Sequence, residues 1–271
     1  MKFTKMHGLG NDYVYVNCLK ERVDNPSEVA KMVSDRHFGI GSDGLILICP
    51  SDKADFRMDM YNADGSQAEM CGNGIRCVAK YVYDYGLTDK NRISIETLAG
   101  IKYLDLHIVN GKATTITVNM GAPILTAKEV PVVSDKEQVV DEPITINGKE
   151  YKMTCVSMGN PHCIVFVDDT ASFPLEEVGP AFECNEVFPK RTNTEFIQIL
   201  DRDTVNMRVW ERGSGITQAC GTGACATAVS FIAQGDAKQD EEIPIVMDGG
   251  ILKIRWNSKD NHIYMTGGAE I

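Results

Sequence analysis

Residues 71–74 read Cys71-Gly72-Asn73-Gly74 and residues 220–223 read Cys220-Gly221-Thr222-Gly223. Each phrase opens a stretch of helical character that ends on a glycine 15 positions after its cysteine, Gly86 and Gly235. Ala79 and Ala228 also match, so the two segments align without a gap at an offset of 220 − 71 = 149. The same offset carries Gly10-Asn11 onto Gly159-Asn160 and Asn62 onto Glu211. A strand-like apolar run follows each Gly-Asn pair, Tyr13–Val16 and Cys163–Val167. One offset held over that distance marks a duplicated unit, not a coincidence of composition. Two such halves packed about a pseudo-twofold axis are expected to set one thiol on each side of a single cleft.

At 271 residues the chain has room for two similar domains of about 130 residues each. A formal charge of −11 argues against a nucleic-acid or anionic-membrane partner, because phosphate binding wants clustered Lys and Arg. No apolar run approaches the roughly 18 residues that a membrane span needs. Met1-Lys2-Phe3-Thr4-Lys5-Met6-His7-Gly8 has no apolar signal core and is expected to begin the fold. Nine cysteines, an odd count, are then expected as free thiols in a reducing cytoplasm.

Alternating or β-branched runs predict strands at Leu45–Cys49, Ile93–Glu96, Ile101–His107 and Thr114–Val118. The second half offers Cys163–Val167, Glu195–Ile199, Val205–Trp210, Ile243–Met247 and Leu252–Trp256. Helices are predicted over Ile75–Tyr85 and Ala224–Gln234, each with a glycine just past its end. Residues 27–36 predict another, capped by Ser27, and Pro174–Ala181 a short helical turn. The Pro- and acid-rich stretch from Gly121 to Gly148 is read as the crossing between halves. Gly39-Ile40-Gly41-Ser42-Asp43-Gly44 matches a dinucleotide-binding pattern, but it precedes a strand instead of joining strand to helix, so it is read as a turn.

A cysteine just ahead of a helix meets N–H groups that have no intrahelical partner and the positive end of the macrodipole, so its thiolate is expected to be favoured. The glycines let a carboxylate approach those N–H groups. Two such sites facing one another would give two proton carriers and two donor sets around one carboxylate-bearing carbon. Inverting a stereocentre needs a base on one face and an acid on the other. The pattern therefore points to a racemase or epimerase that needs neither metal nor pyridoxal phosphate. The other seven cysteines (Cys18, Cys49, Cys77, Cys155, Cys163, Cys184 and Cys225) are read as buried small hydrophobes. A thiol-based zinc or redox module is the competing class, since Cys220-x4-Cys225 has a spacing found in zinc sites.

Six motifs then occur in one order: Met6-His7-Gly8-Leu9-Gly10-Asn11-Asp12, Tyr61-Asn62-Ala63-Asp64-Gly65-Ser66, Cys71-Gly72-Asn73-Gly74, Met158-Gly159-Asn160-Pro161-His162, Glu211-Arg212-Gly213 and Gln218-Ala219-Cys220-Gly221-Thr222-Gly223. Together they resemble the diaminopimelate epimerase family over essentially the whole chain. The resemblance implies a cofactor-independent interconversion of LL- and meso-diaminopimelate, on the route to lysine and peptidoglycan. It implies an α/β (α+β) fold of two pseudo-symmetric domains, each a mixed, mainly antiparallel barrel-like sheet around a central helix. The first would be 1–118 with 263–271 returning to it, the second 119–262. Cys71 and Cys220 would be the acid–base pair, with His162 and Glu211 beside them. The N–H groups of Gly72, Asn73, Gly221 and Thr222 would hold the reacting carboxylate. Asn11, Asn62, Asn160, Asn193, Glu211 and Arg212 would read the rest of a diamino diacid, Arg212 as a bidentate carboxylate clamp. A homodimer, with no metal and no cofactor, is also implied. Two positions depart from the pattern: Gly44, where many members carry a glutamine, and Ile216, where an acidic residue is frequent. A proline or hydroxyproline epimerase of the same fold is the nearest alternative.

Overall fold

The computed structural model describes residues 1–201 and 204–271. The chain divides into two compact units, Met1–Asn119 with Thr266–Ile271, and Met120–Met265. The first holds β1 (Thr4–Gly8), β2 (Asn11–Asn17), α1 (Pro26–Ser34), β3 (Gly44–Cys49), β4 (Phe56–Asn62), β5 (Gln67–Ala68), α2 (Gly72–Asp84), β6 (Arg92–Thr97), β7 (Gly100–Val109) and β8 (Lys112–Gly121). The second holds β9 (Glu142–Ile146), β10 (Lys149–Ser157), β11 (Pro161–Phe166), α3 (Leu175–Glu183), β12 (Asn193–Ile199), β13 (Val205–Glu211), β14 (Gly215–Thr217), α4 (Gly221–Ala233), β15 (Glu242–Met247) and β16 (Gly250–Trp256). A last strand, β17 (Ile263–Gly268), leads to residues of the first unit, where Thr266 and Thr117 share a hydroxyl hydrogen bond of 2.7 Å and Glu270 bridges His7.

The duplication visible in the sequence is a duplication of strand pairing. In the first unit β1–β2 is antiparallel, β2–β3 parallel, β3–β4 antiparallel, β4–β6 parallel and β6–β7 antiparallel. The second repeats that order with β10–β11, β11–β12, β12–β13, β13–β15 and β15–β16. Register follows the offset residue by residue. Tyr15↔Ile46 recurs as Ile164↔Glu195, and Ile46↔Met60 as Glu195↔Val209.

Each unit is organised around one deeply buried helix. In α4 every residue from Gly223 to Phe231 is buried, and the helix packs against β10, β11, β12, β15 and β16. A surface helix would bury a single stripe. Burial on all sides fits the run Ala224-Cys225-Ala226-Thr227-Ala228, whose small side chains let strands approach closely. Fully burying Val229 and Phe231 contributes about 1.5–3 kcal/mol each. Ala226→Leu would overpack this axis at a cost of about 1–3 kcal/mol. In α2 the run Asn73–Ala79 is buried, and Arg76 with it. The Arg76 guanidinium is satisfied by Gly72 O at 3.1 Å, Asn73 Oδ1 at 2.9 Å and Gly268 O at 3.2 Å. Both helices end alike: Gly86 N–H reaches Tyr83 O and Leu87 N–H reaches Val82 O, mirrored by Gly235 to Ile232 and Asp236 to Phe231. With φ of 68° and 88°, Gly86 and Gly235 sit in the left-handed region this cap requires.

Several sequence expectations shift. Both central helices begin three residues early, at Gly72 and Gly221, because the thiol ahead of each accepts the N–H of its third helical residue. At α1 the cap position is Asn25 with Pro26 at the first turn, while Ser27 donates to Gly65 O at 2.7 Å. The turn expected at 174–181 is the full helix α3, which carries Pro180 inside it while burying Leu175, Val178 and Phe182. Strands β1, β4, β5, β9, β10 and β14 were not expected. In β4 the buried Phe56, Met58 and Met60 alternate with Arg57 and Asp59, a period-two signal muted by its charges. The stretch read as a crossing supplies Val130, Val132, Val139 and Ile144 to the core of the second unit. Cys184 is exposed and Cys18 half-buried, so neither is the core hydrophobe expected. Among the described residues no helix is long and apolar enough to cross a membrane.

Candidate active site

Cys71 is the N-cap of α2, its backbone extended at φ −132°, ψ 122°. Its sulfur accepts the Gly74 N–H at 3.4 Å and its thiol donates to Asn11 Oδ1 at 3.2 Å. Asn11 is fixed in turn, since Nδ2 donates to Asp43 Oδ2 at 2.8 Å. Asp43 also accepts the Asp12 N–H at 3.1 Å and pairs with Arg36 at 2.9 Å. Burial pushes the Asp12 carboxyl up, but Arg36 and Lys5 outweigh it and hold the group below the usual carboxylate range. The Tyr13 hydroxyl reaches both Asn11 and the Cys71 thiol. Burial, and then the proximity of Cys71, pushes this phenol far up, so it stays a neutral hydrogen-bonding group. The Asn73 carboxamide points inward to Arg76, which leaves backbone N–H groups as what Gly72 and Asn73 can offer a ligand. Asn62, at the end of β4, donates to Ser66 Oγ at 3.0 Å.

The backbone at Gly44 leaves little room for a side chain. A Cβ there would lie 2.1 Å from the Tyr61 carbonyl oxygen and 2.9 Å from Tyr13 Cε1. The Tyr13 ring already occupies the space that a side chain at position 44 would use.

Cys220 caps α4 in the same way, with φ −120°, ψ 110° and the Gly223 N–H 3.3 Å from its sulfur. Two carboxylates, Glu211 and Glu195, act on this thiol. His162 is fully buried, with Nδ1 2.7 Å from Glu195 Oε1 and Nε2 3.0 Å from Asn160 Oδ1. Asn160 Nδ2 donates to Thr222 Oγ1 at 3.3 Å, and that hydroxyl lies 3.6 Å from the Cys220 sulfur. Glu211 accepts the Thr217 hydroxyl. Burial raises the Glu211 carboxyl, and the charge of Glu195 adds to the rise against Thr217 and His162. Burial also drives the Cys220 thiol well above its ordinary value, helped by Glu211 and Glu195; Thr222 and the Gly223 N–H oppose this without cancelling it. At Cys220 burial and two carboxylates push the thiol up, in the direction opposite to the lowering expected from the helix terminus.

Asn193 is buried and fastened at both ends, Nδ2 to Pro161 O at 2.8 Å and Oδ1 to the Arg212 N–H at 2.9 Å. It braces the start of β11 and the Arg212 turn. Arg212 itself is exposed, with Nη1 donating to Lys190 O at 3.0 Å. Gly221 and Thr222, like Gly72 and Asn73, are the first two helical residues, whose N–H groups have no intrahelical acceptor.

Sequence reasoning missed Tyr13, Asp43 and Glu195. The signal for Glu195 was there: a single acid among apolar and hydroxyl side chains in Thr194-Glu195-Phe196-Ile197. Among the described residues, the donor atoms of His162, Glu195 and Cys220 all lie within 4.8 Å of one another. Within this group His162 Nδ1 and Glu195 Oε1 are hydrogen-bonded to each other. Cys225, the other half of the zinc spacing, is not in this group.

The family model for diaminopimelate epimerase matches residues 3–126 and 154–271. The chain is 60% identical over 269 residues to a diaminopimelate epimerase of Acetivibrio thermocellus, covering 99% of this chain and 95% of that one. It is 58% identical over 269 residues to one of Methanococcus maripaludis, at 99% and 96% coverage. Solved structures share the fold at lower identity. A hydroxyproline epimerase from Agrobacterium vitis gives a TM-score of 0.67 at 13% identity, covering 98% of this chain and 88% of that one. A methylitaconate-delta-isomerase gives 0.69 at 14%, with 99% and 92% covered. On the family match and on these relatives, the chain belongs to the diaminopimelate epimerase family.

Proposed function

We propose that this epimerase interconverts LL- and meso-diaminopimelate by moving the proton on one α-carbon, with Cys71 and Cys220 as the two proton carriers. The observation that carries the reading is the matched pair of thiol caps, each accepting the N–H of the second glycine in Cys-Gly-x-Gly at 3.3–3.4 Å. One sulfur, as thiolate, takes the α-proton. The other, as thiol, delivers a proton to the opposite face, and the roles exchange for the reverse direction. Removing the proton puts negative charge on the carboxylate oxygens. The N–H groups of Gly72, Asn73, Gly221 and Thr222 suit that charge, because helix N-termini present fixed donors that need no reorganisation.

His162 and Glu211 act on the Cys220 side, where they adjoin the thiol or its carboxylate neighbours. Arg212 takes the distant carboxylate through its planar fork, and Glu211 with Asn11, Asn62, Asn160 and Asn193 completes recognition or braces it. Asn193 belongs to the bracing group. No metal or organic cofactor enters the scheme. The product serves lysine and peptidoglycan synthesis, the odd count of nine cysteines suits a cytoplasmic setting, and the family resemblance supports a homodimer. Incubating LL-diaminopimelate with the reduced protein and separating the isomers on a chiral column tests the reading. Conversion to the meso form is the expected result. Turnover of proline or hydroxyproline with diaminopimelate untouched would overturn it.

A further inference from the structure

The two units differ at one buried position in a way that packing does not require. Ile46 in β3 and Glu195 in β12 are related by 195 − 46 = 149, and their strand partners correspond pair by pair. Both are 0% exposed. Both lie under the second glycine of their Cys-Gly-x-Gly phrase. A Cβ on Gly74 would stand 2.6 Å from Ile46 Cδ1, and one on Gly223 would stand 2.5 Å from Glu195 Oε1. The place under the helix start is therefore filled equally well by an apolar side chain, as the first unit demonstrates. A carboxylate there costs several kcal/mol of desolvation unless it is fully paired. Among the described residues Glu195 is paired through Oε1, and Oε2 meets no hydrogen-bond partner there. A buried acid that packing does not ask for, left half-satisfied beside a reactive thiol, has a reason outside stability.

The neighbouring position supplies that reason. Tyr13 and His162 are also related by the offset, 162 − 13 = 149, and each meets the asparagine of its own unit, Asn11 and Asn160. A tyrosine has one polar atom and needs one set of partners. An imidazole has two nitrogens, and what the second one bonds decides tautomer and ring orientation. The change from tyrosine to histidine is thus matched by a change from isoleucine to glutamate, which bonds Nδ1 at 2.7 Å.

We propose that Glu195 is a positioning residue for the epimerisation: it holds His162 by Nδ1 and, as a charge beside the Cys220 sulfur, favours the protonated thiol over the thiolate. The groups facing that sulfur are Glu211, Glu195 and the Thr222 hydroxyl with the Gly223 N–H, and His162 lies in the same cluster. His162, clamped between Glu195 and Asn160, keeps the Asn160–Thr222 link against the sulfur in one arrangement. The role rests on the proton-transfer reading of Cys220 above, but its test does not need the substrate to be known.

The test compares wild type with Glu195→Gln and Glu195→Asp, following iodoacetamide labelling of Cys220 against pH by peptide mapping of the free enzyme. Glu195→Gln removes one of two nearby carboxylates, so the labelling midpoint is expected to fall by about one pH unit. Glu195→Asp keeps the charge and draws the carboxylate back from His162, so the midpoint is expected to stay near wild type. In turnover both variants are expected to lower kcat by about 10–100-fold with KM little changed, as loss of one charge-assisted hydrogen bond would. A folded Glu195→Gln protein with wild-type labelling and wild-type kcat overturns the proposal. If that variant does not fold, nitrogen-15 NMR of the wild-type histidines decides: a proton on Nδ1 of His162 is required, and a tautomer protonated on Nε2 alone contradicts it. A substrate other than diaminopimelate would leave the labelling and NMR results standing.

Discussion

The Asn11 side chain is held from both ends, donating to Asp43 Oδ2 at 2.8 Å and accepting the Cys71 thiol on Oδ1 at 3.2 Å. Asp43 thereby decides which end of the amide faces the sulfur. Replacing Asp43 by alanine frees the amide to turn and present Nδ2 instead. Loss of this charge-assisted bond is expected to lower kcat/KM by about 10–100-fold in a protein that still folds. Steady-state kinetics with circular dichroism as the folding control checks this. Unchanged kinetics would mean that Asn11 is oriented by Tyr13 alone.

At Gly44 the expected effect is on stability before activity. The Tyr61 carbonyl at 2.1 Å is backbone and cannot step aside. Gly44→Ala is therefore expected to cost about 1–3 kcal/mol by overpacking. Urea unfolding reads the change directly. The variant Tyr13→Phe should separate the two roles of Tyr13, leaving stability near wild type while slowing turnover through the lost hydroxyl at Cys71.

The thiols should differ in reactivity in the order of their exposure and surroundings. Cys71 is half-buried, whereas Cys220 is buried and pushed well above the ordinary thiol value. A raised thiol value means less thiolate at any given pH, so at pH 8 iodoacetamide is expected to label Cys71 first. Labelling of Cys220 should become appreciable only under more alkaline conditions. Glu211→Gln removes the larger of the two charge effects on Cys220, so its labelling should begin at lower pH than in wild type. Equal labelling of the two cysteines at pH 8 would contradict the account of burial and charge.

Arg212 is expected to serve the end of the substrate that the reaction leaves unchanged. Lysine keeps the charge but not the planar fork. Arg212→Lys should therefore reduce kcat/KM by about 100-fold or more, with melting temperature little moved because the side chain is exposed. A wild-type kcat/KM would reduce Arg212 to its bond with the Lys190 carbonyl.

How much of this was legible in the sequence depended on whether a residue's partners were local. The Cys-Gly-x-Gly phrases, their glycine stops and the 149-residue offset are short-range signals, and they located both central helices. The strand β4 was missed although its repeat-mate Val205–Trp210 was expected, because Arg57 and Asp59 interrupt the apolar reading. Glu195 and Tyr13 were missed for another reason. Each lies in a strand and gains its meaning only from a helix that begins 25 or more residues further along the chain. The offset, applied position by position, would have paired Glu195 with Ile46 and drawn attention to it. The raised Cys220 thiol could not be read from local sequence, since burial and two carboxylates brought in by β12 and β13 set it.

The central claim is that two thiols share one proton transfer, and isotope exchange in the single variants tests it most directly. LL-diaminopimelate is incubated in deuterated water with wild type, Cys71→Ala and Cys220→Ala, and both the isomers and the deuterium at the α-carbon are measured. Alanine removes the sulfur cap at a cost of about 0.5–2 kcal/mol, so folding is confirmed first. Wild type should form the meso isomer carrying deuterium at the inverted carbon. Neither variant should interconvert the isomers, and any exchange that survives should favour opposite isomers in the two variants. Near-normal interconversion by either alanine variant would contradict the account, because its missing sulfur would then have no part in moving the proton.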